Sequence, residues 1–88
     1  MGEGVRRAER KVPGGKLVQM TAGGGKVRLA GDFFLHPEDS LPGLESFLAS
    51  IHSDDAASAI AAYAERNGIR MIGLGPEDIA ALLAEVRP

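Results

Sequence analysis

The apolar residues of this chain change their period about halfway along it. In residues 26–33, Val27, Leu29 and Phe33 share one side of an alternating run, and Lys26, Arg28 and Asp32 take the other. From residue 44 the interval lengthens: Leu44, Phe47, Leu48 and Ile51 recur at every third or fourth position. A period of two belongs to strands half-buried on one face, and a period near 3.6 to helices with one apolar stripe. Strands first and helices second define an α+β chain in which a helical layer covers one face of a sheet.

The links between the apolar runs set the sheet's topology. Pro13-Gly14-Gly15 and Gly23-Gly24-Gly25 are turn signals, because proline presets φ and glycine tolerates positive φ. Such short links join antiparallel strands, whereas a parallel crossover needs about a dozen residues or more. The expected sheet is therefore a three-stranded antiparallel meander. Its strands are a mixed-charge edge over residues 5–12, the run Lys16-Leu17-Val18-Gln19-Met20-Thr21, and residues 26–32.

About three helices follow, packed on one face. Pro42 suits the first turn of the first helix, where its missing N–H costs nothing. For the second, Ser53 is the expected N-cap, with Asp54 and Asp55 near the positive end of the dipole. Its stripe is Ala57, Ile60, Ala61 and Ala64, closed by Asn67-Gly68. Pro76, Glu77 and Asp78 open the third, with the stripe Ile79, Leu82, Leu83 and Val86. Residues 69–74 fit either a fourth short strand or a buried loop. No linker divides residues 1–88, which read as a single domain.

Composition narrows the chemistry. The 88 residues include no cysteine, which removes disulfides, thiol nucleophiles, iron–sulfur ligation and thiolate zinc sites. A formal net charge of −2 and only three Phe and one Tyr argue against nucleic-acid binding. No signal peptide is visible, and no apolar run approaches the ~20 residues that cross a bilayer. The expectation is a soluble cytoplasmic protein with no membrane attachment.

Catalytic residues are few. His36 and His52 fall in different elements, and no nucleophile-elbow spacing accompanies them. His36-Pro37-Glu38-Asp39 gathers one imidazole and two carboxylates, yet consecutive loop residues rarely converge on one ion, so no metal is expected. Gly14-Gly15-Lys16 offers backbone N–H groups and a cation to a phosphate or carboxylate. The P-loop spacing is absent, however, and a hairpin turn with a solvated lysine explains the same residues. In Gly31-Asp32-Phe33-Phe34-Leu35-His36-Pro37, two adjacent Phe on a strand face opposite sides. Phe33 continues the dry face. Phe34 is then either an exposed contact residue or packed under the loop that enters the first helix.

Taken together, Lys11-Val12-Pro13-Gly14-Gly15-Lys16-Leu17 and Gly31-Asp32-Phe33-Phe34-Leu35-His36-Pro37-Glu38 resemble the accessory domain of lipoate–protein ligases, in its free-standing small-subunit form. The likeness runs from about Lys11 to the last helix, the helical part matching in pattern only. It implies a small antiparallel sheet backed by helices, similar to sulfur-transfer and iron–sulfur scaffold proteins but without their cysteines. It also implies a heterodimer with a large catalytic subunit. That subunit binds lipoate, ATP and its magnesium, forms lipoyl-AMP, and passes the lipoyl group to a lysine of a carrier protein. This chain would then carry no catalytic residue, and would bind no cofactor alone. Gly14, Gly15, Lys16, Asp32, Phe33, Phe34 and His36 would lie near the partner or its nucleotide. Lys16 is expected either beside the nucleotide phosphates or against a partner acid. Asp32 is a candidate for holding the turn by accepting backbone N–H bonds. Two other classes fit the residues: a docking module for a partner unrelated to lipoate, and a small enzyme using His36 with Glu38 or Asp39.

Overall fold

The computed structural model describes residues 4–12, 16–52 and 54–86. Three strands, β1 (Arg6–Val12), β2 (Lys16–Gly23) and β3 (Lys26–Gly31), form an antiparallel sheet in the order β1-β2-β3. Met20 is the centre of the register, opposite Ala8 on one side and Leu29 on the other. Helices α1 (Leu41–Ser50), α2 (Ala56–Arg66) and α3 (Pro76–Val86) follow. The alternation anticipated from sequence fixes which side of the sheet they cover. Ala8, Val12, Val18, Met20, Val27 and Leu29 are buried on it, while Arg7, Glu9, Lys11, Gln19, Thr21 and Arg28 take the opposite face.

On that covered side α3 packs over β1 and β2, and α1 lies along β3. The core joins the dry strand residues to Leu44 and Leu48 of α1, Ile60 and Ala64 of α2, and all four stripe residues of α3. Phe47 and Tyr63 stack with ring centroids 4.3 Å apart, locking α1 to α2. The outer edge of β3 is closed by a side chain: Glu45 of α1 accepts a hydrogen bond from the Leu29 N–H at 2.8 Å. An edge amide so occupied cannot template another strand.

Helix ends follow local chemistry. Asp55, at the N-cap of α2, accepts from the Ser58 backbone N–H at 3.1 Å. The sequence reading assigned this cap to Ser53, which lies outside the described residues; the helix begins at Ala56, and the amide that Asp55 caps is three positions on. Ala61 is also corrected. It is exposed, because the stripe through Ile60 runs to Tyr63 and Ala64, and Ala61 is turned about 100° from Ile60. The C-terminus of α2 is a Schellman motif: Gly68 has φ 63°, its N–H reaches Glu65 O, and the Ile69 N–H reaches Ala64 O. At α3, Asp78 accepts from the Gly75 N–H at 2.9 Å and pairs with Arg10 of β1 at 2.9 Å, tying helix to sheet.

A second, smaller sheet was not expected. β4 (Phe34–His36) pairs antiparallel with β5 (Arg70–Ile72), the short strand left open against a buried loop in residues 69–74. Phe33 therefore does not continue the third strand. β3 ends at Gly31, whose φ of 137° turns the chain out of the sheet, and Phe33 reaches the core from the segment beyond it. Among the described residues, no helix is long and apolar enough to cross a membrane.

Candidate functional site

The two sequence strings meet at one corner of the molecule. Past Gly31 the chain stays against β2, with the Asp32 backbone N–H donating to the Leu17 carbonyl oxygen at 2.9 Å. Only glycine fits at position 31, where a Cβ would run into that same carbonyl and lie 2.8 Å from Val18 Cα. Gly73, with φ 93°, plays the same part on the other side; a Cβ there would lie 3.0 Å from the Asp32 carbonyl oxygen. Two glycines thus press the start of β2, residues 32–33 and the end of β5 together.

The expected site residues divide by what they face. Lys16 opens β2 opposite Val12 and is exposed. Gly14 and Gly15 lie outside the described residues. Asp32 is exposed, and its backbone amide makes the link to β2, whereas its carboxylate accepts no bond among the described residues. Phe33 is half-buried against the core, and Phe34 is 66% exposed, so the two rings do part company. His36 is exposed at the far end of β4, in register with Arg70.

A residue the sequence reading passed over completes the corner. Ile72 of β5 lies directly opposite Phe34 and is 53% exposed. Directly opposed residues project from the same face of a ribbon, so Phe34 and Ile72 stand side by side while Leu35 and Met71 turn inward. The apolar character of residues 69–74 was the signal there; Ile72 became visible only once β4 was known to be its partner. A shallow groove of about 450 Å³ runs beside Phe34, lined also by Leu29, Phe33, Leu35 and Leu41.

This arrangement suits docking better than bond-making. Covering Phe34 and Ile72 removes roughly 200 Å² of apolar surface from water, worth about 5 kcal/mol before the costs of association. Glu38 and Asp39 sit in a 3₁₀ turn after β4, and among the described residues no three His, Asp or Glu side chains are grouped to hold a metal ion. A scan of protein-family models and searches of curated proteins and solved structures find no match to this chain.

Proposed function

We propose that this chain is the small, non-catalytic subunit of a two-part lipoate–protein ligase. It docks on a large subunit that activates lipoate with ATP and then lipoylates carrier-domain lysines. The observation that carries the reading is the junction of Lys16-Leu17 with Asp32-Phe33-Phe34, the strings on which the resemblance rests, through the Asp32 N–H to Leu17 carbonyl bond. The exposed Phe34–Ile72 pair beside it supplies an apolar contact for the partner.

Lipoyl-AMP is a mixed anhydride that water destroys. A second subunit contributes by ordering loops and keeping solvent from the bound adenylate, with no covalent step of its own. Lys16, exposed at the corner, is available to the nucleotide phosphates or to a partner carboxylate.

The test is pyrophosphate release by a catalytic subunit lacking its own accessory domain, with lipoate and ATP-magnesium, in the presence and absence of this chain. Stimulation is expected; none would overturn the reading. Lys16→Ala with undiminished stimulation would remove the role of Lys16 and leave the rest. The Phe34–Ile72 pair equally suits a docking module for a partner without lipoate chemistry, in which case Phe34→Ser weakens binding to that partner and the ligase assay stays silent.

A further inference from the structure

The net charge of −2 conceals a division of charge between the layers. Seven of the ten Lys and Arg residues lie within residues 1–31, and ten of the twelve Asp and Glu lie beyond them. The sheet is the cationic layer and the helical half the anionic one. Among the described residues no helix covers the sheet's second face, where the register sets out rows of side chains across the strands.

One row is Arg7, Thr21 and Arg28, which places the two arginines about 10 Å apart at the backbone. The next toward the hairpin holds Gly23 and Lys26, with Val5 packed 3.3 Å from where a Gly23 Cβ would be. In the other direction come Glu9, Gln19 and Ala30, then Lys11 and Leu17. Glu9 is already engaged by the Gln19 amide at 2.9 Å. Arg7, Lys11, Lys26 and Arg28 are exposed, and none forms an ion pair among the described residues.

We infer that this open face of the sheet docks the carboxylate-bearing surface of another protein. Avoidance of strand-to-strand aggregation accounts for charge on the edge strands. It does not explain why both cations of β3 point to the face that also receives Arg7 and Lys11 of β1, nor why that face holds exposed apolar residues at two corners. Val5 is 73% exposed and Leu17 36%. Apolar contacts framed by cations match a protein partner with acids around apolar spots. A nucleic acid fits less well. No aromatic side chain lies on β1, β2 or β3 for bases to stack on, and Glu9 interrupts the cations. The inference stands on charge and register, and does not require lipoate chemistry.

The experiment titrates the chain against fluorescein-labelled poly-L-glutamate. The expected affinity falls about tenfold or more between roughly 0.02 and 0.15 M salt. Arg7→Glu/Arg28→Glu is expected to lower it at least about tenfold further at low salt, with Arg7→Ala/Arg28→Ala in between. Both pairs are exposed, and an unchanged melting curve establishes that each variant is folded. Absent binding, equal binding by the folded variants, or tighter binding of a DNA duplex would each overturn the inference. So would self-association of the chain that the Arg→Glu pair abolishes, since the occupant would then be a second copy. In the pyrophosphate assay, full stimulation by the Arg→Glu pair would dissociate this face from ligase docking, whereas no stimulation by the wild-type chain would remove the ligase reading alone.

Discussion

Gly31 and Phe34 illustrate how single residues divide between fold and contact. Gly31 combines a positive φ with a backbone approach that leaves no space for a Cβ, so its replacement strains φ and separates two chain segments at once. Gly31→Ala is expected to destabilise by more than about 2 kcal/mol, read from urea unfolding, and to detach residues 32–34 from β2. Phe34 and Ile72 support only each other, as a cross-strand pair. Phe34→Ser and Ile72→Ser should each destabilise by no more than about 1 kcal/mol while weakening partner binding, measured by titration calorimetry. The sequence identified Phe34 as a candidate for exposure from its adjacency to Phe33. It did not identify Ile72, because the two residues are neighbours only once strands far apart in sequence have paired.

Among the elements, α3 is the most legible and the most heavily used. Its stripe of Ile79, Leu82, Leu83 and Val86 is buried throughout. Leu82→Ala should cost about 2–5 kcal/mol in chemical unfolding. The helix is also tethered by charge. Burial pushes the Asp78 carboxyl up, but the Arg10 guanidinium and the Gly75 N–H outweigh it and hold Asp78 below the ordinary carboxylate value of 3.8. The unfolded chain then binds more protons than the native one as pH falls through this range, so stability contributed above the unfolded pKa is lost toward the folded pKa. Acid titration of unfolding should show this loss below about pH 4, and Asp78→Asn should reduce it. Asp55, held low by its bonds from Ser58, contributes to α2 with the same sign. Less legible were β4 and β5, at three residues each. A run that short holds too few positions for a period to register, and each strand forms only because the other is there.

Over the whole molecule, the decisive property is the separation of a cationic sheet from an anionic helical layer. The net charge of −2, a sum over the chain, cannot report such a division. If the open face meets an acidic protein, association should be fast at low ionic strength and slow markedly with salt, checked by stopped-flow mixing with the labelled poly-L-glutamate. The Phe34–Ile72 contact should respond little to salt. Comparing the salt response of the Phe34→Ser and Arg7→Glu/Arg28→Glu variants therefore assigns binding to one surface, the other, or both.

The sequence alone determined the α+β order, the three-stranded antiparallel meander, the three helices and the buried stripe of α3. Those properties are written in local periods and in turn and cap residues, which neighbouring positions fix between them. Tertiary structure decided where the chain leaves the sheet after Gly31, and that residues 34–36 find residues 70–72. Each depends on packing between segments tens of residues apart, where the energy lies in contacts that no local pattern encodes.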